Sequence, residues 1–254
     1  MNIRTYGTDE RLAFCLGYLS EKNIRSVREI ILLPIPTTRD GITVLGTGKA
    51  PSELLSGERR GAVAVGYAVP KSFREEFSAL GVSVLDVSFD EIFTAENARL
   101  TAIGALGRTL SSENAAPSEL SIGIIGYGRI GKGLLNFFTL LGASPVVFTT
   151  RDSLREELGM IGVSTLSAGA LSDVSQLEKI RGFDIIFNTA PAPLMSEEII
   201  AGLSKTKIVE LASGNNFPKD AAVLRYASLP ALMYPKSAGR VLADSVMRML
   251  REEL

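Results

Sequence analysis

The chain predicts an α/β fold of two parallel-sheet domains, a smaller one followed by a doubly wound one. Short apolar runs alternate with helix-length patterns along its length, as parallel strands joined by crossover helices require. At 254 residues it is long enough for two modest domains. A small-residue, polar stretch, Ser111-Ser112-Glu113-Asn114-Ala115-Ala116-Pro117-Ser118, breaks the pattern after a long helix. Residues 1–93 are expected to form the smaller domain and 94–232 the larger. The last segment, 233–254, reads as a helix packing at the cleft or back on the first domain.

In order, Asn2–Tyr6 reads as a weak strand and Asp9 to Ser20 as a helix. Glu29–Pro34 is an apolar strand running into the loop Ile35-Pro36-Thr37-Thr38-Arg39-Asp40-Gly41. Strands at Ala62–Gly66 and Val82–Asp86 flank a helix at Lys71–Leu80. Thr94 to Leu110 carries Leu100, Ile103, Leu106 and Leu110 at helical spacing. Beyond the polar stretch come strand Ser121–Ile125, helix Gly131–Leu141, and strands Val146–Thr149, Asp184–Asn188 and Lys207–Leu211. Val241, Leu242, Val246, Met249 and Leu250 recur at helical spacing within a closing helix, Ser237 to Glu252, and need burial.

Composition removes several function classes. Hydrophobic residues make up 46% and charged residues 22%, so the chain is globular, not disordered. A net charge of −1 lacks the basic surface that a nucleic-acid partner demands. Cys15 is the single cysteine, which excludes an internal disulfide and a cysteine-built zinc site. There is no histidine, so imidazole triads, dyads and His-ligated metals are absent, and no metal is expected. The opening Asn2-Ile3-Arg4-Thr5-Tyr6-Gly7 lacks the apolar core of a secretory peptide, and no apolar run is long enough for a bilayer. A cytoplasmic protein without membrane contact is expected.

The chemistry-bearing motif is Gly126-Tyr127-Gly128-Arg129-Ile130-Gly131, after an apolar strand and at the mouth of a helix. This is the setting of a dinucleotide turn: Gly126 for the tight bend, Gly128 for close approach of a pyrophosphate, Gly131 for helix–strand packing. The helix N-terminus adds free N–H groups and partial positive charge. The sheet carrying it is therefore expected to be Rossmann-type. At the end of the next strand, where an acid would select NAD, stand Thr149, Thr150 and Arg151. Two hydroxyls and a guanidinium favour the 2′-phosphate of NADP, with NAD the alternative and Arg151 as a plain helix-start residue the plainer one. Asn188-Thr189-Ala190-Pro191, at another strand's carboxyl end, flanks the cofactor or is simply a turn.

These motifs and several others together resemble the dipicolinate synthase A family, which supplies the dehydrogenase component of that enzyme. The resemblance rests on Gly7, Asp9 and Arg11 after the first strand, and on Leu33-Pro34 leading to Thr37, Thr38, Asp40 and Gly41. In the second domain it rests on Gly126, Gly128, Arg129 and Gly131, Asn188-Thr189, and Leu211-Ala212-Ser213. Its most individual piece is Pro235-Lys236-Ser237-Ala238-Gly239. The chain departs from the family in a shorter first domain, a shorter loop at Pro36-Thr37-Thr38, and an arginine one place later at Arg151. The resemblance implies a two-domain fold like that of D-2-hydroxyacid dehydrogenases, with a flavodoxin-like first domain. It implies oxidation of a dihydrodipicolinate to dipicolinate with NADP during sporulation, beside a flavoprotein-like second subunit. A homo-oligomer such as a dimer is expected. The D-2-hydroxyacid activity itself is excluded, because its acid/base is a histidine.

A small dicarboxylate substrate needs cations and N–H donors. Arg39 with Thr37 and Thr38 is expected to hold one carboxylate. Lys236 and Ser237, on the opposite domain, are expected to hold the other, with Lys236 a candidate base if burial lowers its pKa. Plainer roles suit the same residues: Thr37, Thr38 and Asp40 as turn formers, Lys236 as a helix-start lysine, Asp9 as a cap, Glu96 as a favourable first-turn acid, and Cys15 as a small apolar packer. A non-catalytic NAD(P)-binding scaffold or sensor, and an NAD(P)-dependent dehydrogenase of another small carboxylate, are the alternative functions.

Overall fold

The computed structural model describes residues 2–22, 29–55 and 59–252. It divides into two compact units, residues 1–100 with 228–254, and residues 101–227. The elements of the first unit are β1 (Ile3–Thr5), α1 (Glu10–Glu21), β2 (Ile30–Leu32), α2 (Pro51–Leu54), β3 (Ala62–Gly66), α3 (Lys71–Ala79) and β4 (Val82–Asp86), and it takes α4 (Glu91–Leu110) as far as Leu100. The second unit holds β5 (Ile122–Ile125), α5 (Arg129–Leu140), β6 (Val146–Thr149), α6 (Asp152–Met160), β7 (Thr165–Ser167), α7 (Leu177–Ile180), β8 (Ile185–Asn188), α8 (Glu197–Gly202), β9 (Lys207–Glu210) and β10 (Val223–Arg225). The chain then returns to the first unit with α9 (Leu229–Met233) and α10 (Pro235–Glu252). Among the described residues no helix is long and apolar enough to cross a membrane.

In unit 1 the parallel sheet runs in the order β1-β2-β3-β4. Alternate residues feed opposite faces, as the strand period of two dictates. Ile30, Leu32, Val63, Val65 and Leu85 pack with Leu12, Cys15 and Leu19 of α1 and Leu242 and Val246 of α10. Ile31, Leu33, Ala62, Ala64 and Val82 pack with Phe73 and Phe77 of α3. Burying both faces explains why the central strands β2 and β3 are apolar throughout.

α1 is started by Asp9, whose side chain accepts from the Arg11 amide. The Arg11 side chain is almost wholly buried, bonding Asp9 through Nε at 2.8 Å and the Ile35 carbonyl at 2.9 Å. Burial pulls this guanidinium below its ordinary pKa, with Asp9 opposing the fall. α4 begins earlier than the expected Thr94, because Asp90 accepts from the Ile92 and Phe93 amides and caps it.

α10 lies on α1. Ala238, Leu242, Ala243 and Val246 are buried there, and a Cβ at Gly239 would stand 2.6 Å from the Arg11 carbonyl oxygen and 2.6 Å from the Phe14 Cβ. Arg39 and Lys236 therefore belong to one unit. This corrects the expected placement of Lys236 opposite Arg39, because the apolar face of α10 finds its burial on α1.

Unit 2 is a six-stranded parallel sheet in the order β10-β9-β8-β5-β6-β7. β5, its first strand in the chain, pairs with β6 on one side and β8 on the other. Strand order reverses at that junction, so the carboxyl ends of β5 and β8 open the crevice in which doubly wound sheets hold ligands. β7 and β10 extend the sheet beyond the strands expected from the sequence.

Filling the α1–α10 contact tests this packing. Gly239→Ala should destabilise the protein by about 1–3 kcal/mol, through overpacking against backbone that has little room to give. Thermal unfolding followed by circular dichroism should show a clearly lower Tm. An unchanged Tm would mean that the two helices do not approach so closely.

Candidate functional site

The Gly126–Gly131 turn is built on contacts that leave no space for side chains. Gly126 has φ +89°, and a Cβ there would stand 2.9 Å from the Thr189 hydroxyl. At Gly131 a Cβ would stand 2.3 Å from the Gly126 carbonyl oxygen. Gly128 is different: a Cβ there meets nothing within 4 Å, so its bare backbone faces open space. Gly128 is also the N-cap of α5, whose first-turn N–H groups point past it.

A cavity of about 230 Å³ opens over this turn, lined by Gly126, Tyr127, Gly128, Thr149, Thr150 and Arg151, and by Phe148, Ala168, Ala190 and Leu194. It unites the glycine turn, the end of β6 and the turn after β8. Thr149 is buried and its hydroxyl accepts from the Arg151 amide at 3.2 Å, whereas Thr150 and Arg151 are exposed. Arg151 is also the N-cap residue of α6. Asp152, the acid one step on, pairs with Arg155 at 2.8 Å, so its charge is partly met within α6.

Of the other sequence-expected cofactor residues, Ala190 lines the cavity and Asn188 and Thr189 stand behind it. The Thr189 hydroxyl donates to the Ile125 carbonyl at 2.8 Å, locking the β8 turn to the β5 turn. The Asn188 amide grips Ala190 twice, donating to its carbonyl at 3.1 Å and accepting from its N–H at 3.2 Å. Arg129, Ile130, Gly131 and Pro191 are outside the cavity lining, Gly131 because it is buried in the helix–strand contact.

Sequence reasoning missed Phe148, Ala168, Leu194 and Lys132. Lys132 stands 5.2 Å from the centre of the Tyr127 ring, bringing a cation beside the glycine turn. Its position in the first turn after a glycine motif was a usable signal. Ala168 and Leu194 carry no such signal, since only folding brings their segments to the cavity. Glu210 was also missed. It is a buried acid at the end of β9, and burial raises its carboxyl pKa against the hydrogen bonds of Asn188, Ala212 and Asn216 and the charge of Arg225.

Unit 1 has its own cavity, of about 420 Å³, at the carboxyl ends of β1 and β2. Arg39 lines it with Asp9, Glu10, Thr8 and Ser228, over an apolar floor that includes Ile35 and Ala231. Thr37 does not join Arg39 there. It is fully buried, its hydroxyl accepting from the Tyr67 amide at 2.8 Å, which pins this loop to the end of β3. Thr38 donates to Asp40 at 2.9 Å and accepts from the Gly41 amide, so both residues are spent on the turn. Asp40 also accepts from Ile42 and Thr43, and these bonds hold its carboxyl far below the usual carboxylate range.

Lys236 and Ser237 are exposed in the first turn of α10 and line neither cavity. The burial on which a base role for Lys236 rested is absent. Glu96 pairs with Arg99 at 2.8 Å. Cys15 is fully buried, and burial, with Asp244 nearby, pushes its thiol up to about 12.

No protein-family model matches the chain. Dipicolinate synthase A of Bacillus subtilis (strain 168) is 25% identical over 172 residues, covering 65% of this chain and 54% of that protein, so the match spans about half of the relative's length. The crystal structure of dipicolinate synthase A from Bacillus halodurans superposes with a TM-score of 0.77 at 19% identity, over 98% of this chain and 97% of the other. A transhydrogenase from Sinorhizobium meliloti matches with a TM-score of 0.61 at 16% identity, over 97% and 89% of the two chains. The fold is thus that of two-domain Rossmann-type dehydrogenases, and the chain is similar in sequence and in fold to dipicolinate synthase A.

Proposed function

We propose that the chain is an NADP-dependent oxidoreductase subunit that oxidises a dihydrodipicolinate to dipicolinate in spore formation, in the cytoplasm and beside a flavoprotein-like second subunit. The supporting observation is the cavity over Gly126–Gly128, flanked by Thr150 and Arg151, in a chain similar to dipicolinate synthase A. The open space at Gly128 suits close approach of a pyrophosphate, and the N-terminus of α5 supplies N–H groups and partial positive charge to it. Arg151 and the Thr150 hydroxyl are the groups for a 2′-phosphate, while NAD fits the same turn without them. A homo-oligomer is part of the same reading.

A nicotinamide cofactor held at Gly126–Gly128 and Arg151 would supply a hydride acceptor for the substrate ring. The accompanying proton goes to solvent as the ring becomes aromatic, so two electrons and two hydrogens are lost together. Aromatisation supplies its own driving force, which fits a chain without histidine and with Lys236 exposed. Arg39 is the residue proposed to hold a substrate carboxylate, since it lines a cavity with an apolar floor. The buried Thr37 and the internally bonded Thr38 favour, as a second reading, an NAD(P)-binding module without turnover.

Gly128→Ala separates cofactor binding from folding, because φ −81° and ψ −166° there suit alanine. NADPH affinity should fall roughly tenfold or more while Tm holds. Fluorescence titration checks this, and unchanged affinity would move the pyrophosphate elsewhere.

Arg151→Ala should weaken NADPH by roughly tenfold to a hundredfold and NADH little, since a charged phosphate contact contributes about 1.5–3 kcal/mol. Equal loss for both would deny Arg151 a discriminating role.

Turnover of dihydrodipicolinate with NADP, with and without the candidate flavoprotein partner, decides between catalyst and module. In an active preparation, Arg39→Met should raise KM for the dicarboxylate roughly tenfold, the loss of one charge-assisted contact, with NADPH affinity unchanged. Binding without turnover in either preparation would favour the module.

A further inference from the structure

Glu210 is a buried carboxylate that the function proposed above does not use. It ends β9 with 7% of its surface exposed, and it is the register partner of Asn188 at the end of β8. Its Oε1 accepts from the Asn188 amide at 3.1 Å and from the Ala212 N–H at 2.8 Å, and its Oε2 accepts from the same Asn188 amide at 3.2 Å. Every one of these neighbours is a donor, so the position calls for a group that only accepts. A carboxylate meets that demand, and a neutral amide does not.

Burying an ionised carboxylate is costly even when it is hydrogen-bonded. What this one accomplishes is to orient Asn188. The Asn188 amide nitrogen also donates to the Ala190 carbonyl, while its oxygen accepts from the Ala190 N–H. With the amide reversed, an oxygen would face both the carboxylate and the Ala190 carbonyl. Glu210 therefore selects the one orientation that closes the 188–190 turn. That turn reaches the glycine turn directly: the Thr189 N–H and hydroxyl both donate to the Ile125 carbonyl, at 2.9 Å and 2.8 Å, and Ala190 lines the cavity with Gly126.

We infer that Glu210 is a positioning residue for the cofactor turn, acting through the Asn188 amide to hold the 188–190 turn against Gly126. The inference rests on the reading of that cavity as a dinucleotide site. Among the described residues around Glu210, β10 brings one charged group, Arg225, its register partner, whose guanidinium bonds the Pro218 carbonyl. β8 and residues 211–216 bring no titratable side chain.

Glu210→Gln places an NH2 where the Asn188 NH2 already donates. NADPH and NADH should both bind roughly tenfold more weakly, the loss of one charge-assisted hydrogen bond. In the unaltered protein, NADH binding should weaken as pH is lowered through the titration of the Glu210 carboxyl, which burial raises above the ordinary range, because a protonated carboxyl becomes a donor toward Asn188. NADH is the probe for this arm, since it has no 2′-phosphate of its own to titrate. The Gln variant should be weak and flat across the same titration. Unchanged affinity in Glu210→Gln, with or without a lower Tm, would make Glu210 purely structural and overturn the inference. If that variant does not fold, the pH profile of the unaltered protein decides, and a flat one overturns it. Failure of the unaltered protein to bind either nucleotide would instead remove the dinucleotide reading, and this inference with it.

Discussion

The cofactor-type unit depends on one close contact, between the Gly131 Cα and the Gly126 carbonyl. A single methyl group at residue 131 would stand 2.3 Å from that oxygen. Because the two meet, α5 can start immediately beyond the end of β5 and direct its N-terminus over the carboxyl edge of the sheet. Thr189 closes the same contact from the β8 side, its hydroxyl bonding Ile125 while its bulk forbids a side chain at Gly126. The open space at Gly128 is the consequence. Backbone is exposed at one point because packing is tight at the two flanking glycines.

Unit 1 is organised by Arg11 in a comparable way. One buried guanidinium ties the cap of α1 to the carbonyl of Ile35, at the carboxyl end of the β2 strand, so helix and sheet share a charged link inside an apolar surround. Leaving either partner unpaired would strand a buried charge, which costs far more than the pair contributes. The same stretch of α1 receives Gly239 against the Arg11 carbonyl, and α10 is seated there. One turn of α1 thus serves a cap, a loop and a returning helix.

Much of this was legible in the sequence, for identifiable reasons. The Gly126–Gly131 turn could be placed because strand, glycines and helix follow one another locally, and local order is what periodicity reports. β7 and β10 were not legible. Each is three residues long with no fully buried position, so neither shows an apolar run or a clean alternation. The motifs at Thr37-Thr38 and at Lys236-Ser237 were visible as polar clusters at strand and helix ends, where ligand groups also sit. What separates the two roles is partnership. Thr37 spends its hydroxyl on the Tyr67 amide, and the motif ending in Gly239 serves the contact of α10 with α1. Neither partner is near in sequence, so no reading of local pattern reaches it. Glu210 was hidden for a related reason: an acid at a strand end looks solvated until its register partner is known to be Asn188.

The distribution of charge carries the proposed specificity further than any one residue does. A dinucleotide turn that ends its second strand in a carboxylate attracts a ribose hydroxyl and repels a phosphate. Here the buried Thr149 hydroxyl is committed to the Arg151 amide, which fixes the start of α6 and leaves the Arg151 side chain exposed beside the cavity. Asp152, the acid that would oppose a phosphate, is turned to Arg155. Glu210 is buried behind Asn188 and accepts from the Asn188 amide and the Ala212 N–H. Asp152 is thus paired, though exposed, and Glu210 is enclosed, while Arg151 and Lys132 stay at the surface. On the proposed reading, an anion entering this cavity would meet the N–H groups at the start of α5 and the Arg151 side chain, an arrangement that would need neither a histidine nor a metal to favour a phosphorylated ligand.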